Sequence, residues 1–233
     1  MTQSQMRTAP GIYQVLSWIV TVLVPVALVL TSVRLMFVGY IDIEYHAPGF
    51  PSDAYGFTTE DRLYWSKIAR DYLLNSADIT FLSDLRFQDG RPVYNARELG
   101  HMVDVKNTVK TAFSVWFFSI ILLLGLGAWA WFGKWSEEFK RGLGRGGWLT
   151  VILVGVTIVM VMLSFGVFFV AFHNVFFDPG TWTFNYSDTL IRLFPERFWR
   201  DIFIYVGLLS LLGGLLLGII FLRKKKAIKP TFN

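Results

Sequence analysis

Thr111–Gly133 reads TAFSVWFFSIILLLGLGAWAWFG, 23 residues without a charge, closed by Lys110 before it and Lys134 after it. A helix rises about 1.5 Å per residue, so a run of this length covers the roughly 30 Å hydrocarbon core of a bilayer. Three more uncharged runs lie between Arg7 and Arg34, between Arg145 and Asp178, and between Asp201 and Arg223, the shortest holding 21 residues. The chain is therefore expected to cross a membrane four times, over 12–38, 111–133, 148–173 and 202–222. Composition agrees. Of 233 residues, 54% are hydrophobic and 17% charged, whereas an ordinary soluble domain has about a quarter charged. A water-soluble enzyme, a nucleic-acid-binding module and a disordered chain are excluded by this segregation of charge.

There is no cysteine, which removes disulfides, thiolate metal ligands, a cysteine nucleophile and a lipid anchor on the chain's own thiol. The first apolar run is longer than the core of a signal peptide, and Arg34-Leu35-Met36 follows it in place of a small-residue cleavage site, so it is expected to remain as a helix. Positive charge sets the orientation. Arg7, Lys134, Lys140, Arg141, Arg145, Arg223, Lys224, Lys225, Lys226 and Lys229 give ten basic residues against Glu137 and Glu138. The opposite side carries eight basic and eleven acidic residues in 39–110, and three against four in 174–201. Lys and Arg are retained on the cytoplasmic face, so both termini and the short middle loop are expected there. The net charge of +5 is spent on topology, and no nucleic-acid partner is expected.

These readings give an all-α membrane protein, four transmembrane helices with a small extracytoplasmic α+β cap. Residues 1–38 form the first transmembrane helix and 39–110 the cap. Residues 111–233 hold transmembrane helices two to four, with a second extracytoplasmic loop at 174–201. A 72-residue connection is too long to be structureless, which is why 39–110 reads as a domain. Within it, Thr58-Thr59-Glu60-Asp61 has the hydroxyl and acids of a helix start, and Leu63, Tyr64, Ile68, Tyr72 and Leu73 recur on one helical face. Ile79-Thr80-Phe81-Leu82 and Pro92-Val93-Tyr94, around Gln88-Asp89-Gly90-Arg91, suggest a short hairpin. A helical pattern resumes near Asn95 and leads toward the second span. Pro25 interrupts the backbone bonding of the first span. Gly213, Gly214 and Gly218 on the fourth offer a close approach to another helix, with Gly214 and Gly218 as its contact pair.

Two clusters carry ionisable chemistry. In Arg97-Glu98-Leu99-Gly100-His101-Met102-Val103-Asp104, the residues Glu98, His101 and Asp104 share one helical face. A carboxylate beside an imidazole fixes its tautomer, as a general base requires. A solvated face with ion pairs to Arg97 and Lys106 fits the same spacing. In Phe172-His173-Asn174, an imidazole ends the third apolar run amid phenylalanines. Ionisable groups in apolar surroundings mark functional sites by default, and a wet histidine at an aromatic interface is the alternative.

The Arg97-Glu98-x-x-His101-Met102-x-Asp104-Val105-Lys106 string resembles the signature of a group of bacterial four-span membrane proteins that includes the lipoprotein intramolecular transacylases. So do Phe172-His173-Asn174-x-Phe176-Phe177, Gly180-x-Trp182-x-Phe184 and Leu193-Phe194-Pro195-Glu196-x-Phe198-Trp199. The resemblance runs through nearly the whole chain. It implies an acyltransferase of the bacterial cytoplasmic membrane that acts on a diacylglyceryl lipoprotein and moves the sn-2 acyl chain to the N-terminal cysteine amine. His101 and His173 are the implied catalytic pair, with Glu98, Asp104, Asn174 and Arg97 in support. Trp182, Phe184, Arg192 and Arg197 are the residues expected to hold substrate. No cofactor or metal is implied. Three other readings use the same features: a bis-histidine haem in a four-helix bundle, a divalent metal held by Glu98, His101 and His173, and a non-catalytic accessory subunit docked through the glycine stripe.

Overall fold

The computed structural model describes residues 11–222. Nine helices order the described chain: α1 Gly11–Met36, α2 Tyr40–Tyr45, α3 Thr59–Leu74, α4 Thr80–Ser83, α5 Ala96–Phe132, α6 Ser136–Leu163, α7 Phe165–Phe176, α8 Thr189–Leu193 and α9 Glu196–Leu222. Four of them, α1, α5, α6 and α9, are long and apolar enough to cross a membrane. Their outer faces leave large side chains such as Phe118, Leu124, Ile152, Met162 and Ile220 exposed, a surface that water would not tolerate on this scale. The pattern expected near Asn95 is one continuous helix of 37 residues, α5. The basic tail from Arg223 and the residue Arg7 lie outside the described residues.

The chain divides into two compact units. One comprises residues 11–29, 117–155 and 208–222 among those described. Its core is Val20, Val24, Leu126, Ala130 and Trp135, and α6 is its centre. A Cβ added at Gly142 would lie 2.6 Å from the Ser17 carbonyl oxygen of α1, and one at Gly146 2.6 Å from Val24 Cβ. Gly146 also backs onto the Thr21 carbonyl, which Pro25 deprives of its helical donor. On another side of α6, a Cβ at Gly147 would lie 2.5 Å from the Gly214 carbonyl oxygen, and Gly218 meets the Trp148 indole. The helix that approaches at Gly214 and Gly218 is therefore α6 of the same chain. Because lipid tails are as apolar as leucine, such backbone contact is what joins helices in a bilayer. Arg145 adds a polar clasp, its guanidinium 2.6 Å from Ser17 Oγ and 4.0 Å from the Trp18 ring.

The second unit comprises residues 30–116 and 156–207. The capping box at α3 is the one its sequence announces: Thr58 Oγ1 accepts from the Asp61 amide, and Asp61 accepts from the Thr58 amide. The buried face of α3 is Arg62, Ser66, Ala69 and Tyr72, whereas Tyr64, expected on the apolar face, is exposed. Arg62 lies over the rings of Tyr45 and Phe50 and donates to the Pro51 carbonyl at 2.7 Å. Two apolar clusters result. Tyr72, Leu82, Val93, Tyr94, Met102 and Leu193 belong to one, and Tyr40, Ile41, Tyr45 and Phe198 form the other. Lys106 of α5 is drawn into the first, its ammonium 3.8 Å from the Tyr72 ring and bonded to Asn75 Oδ1 and the Ala77 carbonyl.

Two expectations are corrected. The α+β cap contains no strand among the described residues: Thr80–Ser83 is helical, and the hairpin is reduced to a single bridge between Arg86 and Pro92. The Asp78 side chain accepts from the Thr80 amide at 2.9 Å and turns the chain into α4, and a lone two-strand ladder has too few partners to hold itself. The third span, expected over 148–173, begins at Ser136 and breaks at Ser164, whose φ of −159° and ψ of 92° are extended. The short α7 that follows carries His173.

Candidate active site

The site grows from the first turns of α5. Asn95 Oδ1 accepts from the amides of Arg97 and Glu98, at 3.0 Å each, and starts the helix. Glu98 closes the box, one oxygen accepting from the Asn95 amide at 2.8 Å. Its other oxygen accepts from the Leu190 amide of α8 at 2.7 Å, and the side chain is buried. The carboxylate thus fastens α8 to α5 one turn before His101. It does not orient the imidazole by a hydrogen bond, as the three-residue spacing suggests: His101 Nδ1 is buried and has no hydrogen-bond partner among the described residues.

His173 sits in the last turn of α7, facing His101 with ring centroids 6.3 Å apart and planes inclined by 25°. Its Nδ1 is 2.8 Å from the Phe169 carbonyl oxygen. A carbonyl only accepts, so Nδ1 carries the proton and Nε2 keeps the lone pair. The His173 residue is 8% exposed. Aromatic rings enclose the pair: Phe177 lies 4.9 Å from His101 and 5.6 Å from His173, Phe184 lies 5.4 Å from His101, and Phe169 and Trp182 lie 3.9 and 4.7 Å from His173. Arg97 donates to the Thr183 carbonyl at 3.2 Å and so tethers the loop carrying Trp182 and Phe184 to α5.

The structure therefore brings His101, His173, Trp182, Phe184 and Arg97 together. Asp104 and Asn174 are exposed. Arg192 and Arg197 are engaged inside the protein. Arg192 holds Asp53 at 2.8 Å and lies 3.5 Å over the Phe57 ring, and Arg197 bonds Asp201 and the Pro48 carbonyl. Burial works against charge on Asp53, but the Arg192 donors and the Phe57 amide outweigh it and hold the carboxyl below the ordinary carboxylate range. The sequence shows Phe177 within a motif but gives no sign that it touches both imidazoles, nor that the Phe169 carbonyl sets the tautomer. The second follows from helical spacing once His173 is placed in a helix, since residue 169 is four before it.

Four spanning-length helices and a pair of opposed imidazoles in an aromatic cage define an integral membrane protein with a two-histidine centre. The model of the family described as lipoprotein intramolecular transacylase, Lit, matches residues 18–199, and the chain belongs to this family of membrane acyltransferases. A protein of Aquifex aeolicus (strain VF5), described as uncharacterized, is 31% identical over 220 residues, which is 93% of this chain and 97% of that one. The membrane integral lipoprotein intramolecular transacylase Lit from Bacillus cereus, solved in meso, aligns with a TM-score of 0.66 at 20% identity over 91% of this chain and 93% of its own. A histidine-to-alanine variant of the same protein aligns with a TM-score of 0.63 over 91% and 92%. At that identity the likeness is one of fold.

Proposed function

We propose that this chain moves the sn-2 acyl chain of a diacylglyceryl lipoprotein onto the amine of the lipoprotein's N-terminal cysteine, with His101 and His173 transferring the protons. The observation that carries the reading is the opposed pair itself, 6.3 Å between rings and enclosed by aromatic side chains. Nucleophile and ester belong to one molecule, so confinement alone supplies several kcal/mol of the barrier.

The neutral amine nitrogen attacks the sn-2 carbonyl carbon. A C–N bond forms, the carbonyl electron pair moves onto oxygen, and nitrogen surrenders a proton. His173 Nε2 takes that proton, because its Nδ1–H is already committed to the Phe169 carbonyl. When the intermediate collapses, the carbonyl re-forms and the bond to the sn-2 glycerol oxygen breaks. The proton taken by His173 is returned through the imidazole pair, His101 donating to that oxygen as it regains one from His173, leaving a lyso-glycerol and an N-acyl chain. Protons balance: nitrogen loses one, glycerol oxygen gains one, and the pair ends each turnover as it began. The aromatic walls keep water from competing for the ester. Glu98, through α5 and α8, and Arg97, through the Thr183 carbonyl, hold the frame.

The membrane is proposed to be the bacterial cytoplasmic membrane, with both termini inside and the histidine pair on the outer side, where lipoprotein substrates emerge. The purified protein, incubated with a synthetic diacylated lipopeptide, is expected to convert it to an isomer of unchanged mass. Fragmentation should then locate one acyl chain on the cysteine nitrogen. A lipopeptide that keeps both chains on glycerol after prolonged incubation contradicts the reading.

A further inference from the structure

The Trp182 indole nitrogen is buried and has no hydrogen-bond partner among the described residues. An indole N–H can only donate, so the protein has enclosed a donor without giving it an acceptor. Native interiors rarely do this, and each instance calls for an explanation. The position supplies one. Trp182 lies against His173 with ring centroids 4.7 Å apart and presents an edge contact to Phe169 at 6.3 Å. Its loop is tied to α5 by Arg97 through the adjacent Thr183 carbonyl. The indole that carries this donor is thus held beside the imidazole that takes the nucleophile's proton, in surroundings of low polarity where one hydrogen bond is worth more than in water.

We infer that the Trp182 N–H is the donor that receives the sn-2 carbonyl oxygen and stabilises the negative charge on it when the amine adds. The assignment rests on the transacylase reading. As the C–N bond forms, the carbonyl electron pair moves onto oxygen, and the bond from Trp182 strengthens with that charge. When the glycerol oxygen leaves with its proton, the carbonyl re-forms as the amide and the bond relaxes. A donor fixed before the charge develops favours the transition state over the bound ester, so its loss acts on kcat more than on KM. It also makes Trp182 a catalytic residue, where Phe177 and Phe184 only shape the walls.

The test uses the full-length protein in detergent or bilayer with a diacylated lipopeptide. Trp182→Phe and replacement of Trp182 by benzothienylalanine, which keeps the fused-ring shape with sulfur in place of N–H, both delete the donor. The sulfur isostere is expected to lower kcat by about 10²-fold or more with KM little changed. Its melting temperature should match or exceed that of the wild type, because removing an unpaired buried donor costs the fold nothing. The isostere keeping wild-type kcat overturns the inference. So does a kcat loss that tracks the loss of folded protein, which marks Trp182 as packing alone. A wild-type protein that leaves the lipopeptide unchanged overturns the transacylase reading itself, and is told apart by appearing before any substitution is made.

Discussion

His173 is held by a backbone carbonyl and His101, among the described residues, by ring contacts, so the two imidazoles enter the reaction differently prepared. The carboxylate between α5 and α8 has a structural task with a measurable size. Glu98→Ala leaves the buried Leu190 amide without an acceptor, at a cost of about 1–3 kcal/mol, and removes the cap from the Asn95 amide. A clear fall in melting temperature is expected, with Glu98→Gln falling less because its carbonyl oxygen still accepts. Loss of activity at unchanged melting temperature would instead give Glu98 a chemical role. Asp53 makes a separate prediction. Its carboxyl lies below the ordinary carboxylate range, so its stabilisation is full above that range and lost as pH falls through the depressed value. Asp53→Asn should lower the melting temperature at neutral pH and narrow its difference from wild type in acid. A constant difference across the titration contradicts this. At this scale the sequence made the histidines visible through their motifs, and misplaced the partner of one. Glu98 stands three residues before His101, and also three after Asn95, the spacing of a helix cap. The carboxylate is claimed by amides at the starts of two helices, Asn95 before α5 and Leu190 in α8, which helical bonding leaves without acceptors.

The elements depend on glycines that lie where the charge pattern suggests a loop. Lys140, Arg141 and Arg145 argue for an aqueous connection after the second span, yet α6 begins at Ser136. Lys140 and Arg141 pair with Glu137 and Glu138 on the helix flank and Arg145 packs on Ser17 and Trp18, while Gly142, Gly146 and Gly147 face neighbouring backbones. Basic residues at a span's end can reach the interface without ending the helix. Gly147→Leu is expected to lose most of the folded, monodisperse protein, since its Cβ alone would meet the Gly214 carbonyl oxygen at 2.5 Å. Gly155→Leu on the same helix, where nothing lies within 4 Å of a Cβ, is expected to melt close to wild type. Equal tolerance of both, read by size exclusion and thermal melting, contradicts the packing account. The break at Ser164 had no proline to announce it. Leu163-Ser164-Phe165 continues the apolar run, and hydropathy registers depth in a bilayer without registering backbone conformation. The hairpin failed for the complementary reason: its turn residues were present, with Gly90 at a φ of +83°, but the described residues offer no third strand for the pair to join.

At the scale of the whole molecule, the number of spans was legible because charge is excluded from each and collected between them. The orientation remains a prediction from the ten-to-two basic excess. The protein has no cysteine, so single cysteines report topology without background. Ser52→Cys should label in intact cells with an impermeant maleimide, and Glu137→Cys only after lysis. The reverse pattern would invert the scheme. Two imidazoles acting as one unit on an acyl group are the centre of the proposed reaction. The most direct measurement is the rate of acyl migration in a diacylated lipopeptide, followed by fragmentation mass spectrometry, for wild type, His101→Ala, His173→Ala and the double variant. Each single replacement is expected to slow migration by about 10²-fold or more in protein that still folds. The double should be little slower than the worse single, because residues that act together do not add. A double variant that still moves the acyl chain from glycerol to nitrogen at the wild-type rate would contradict the two-histidine mechanism.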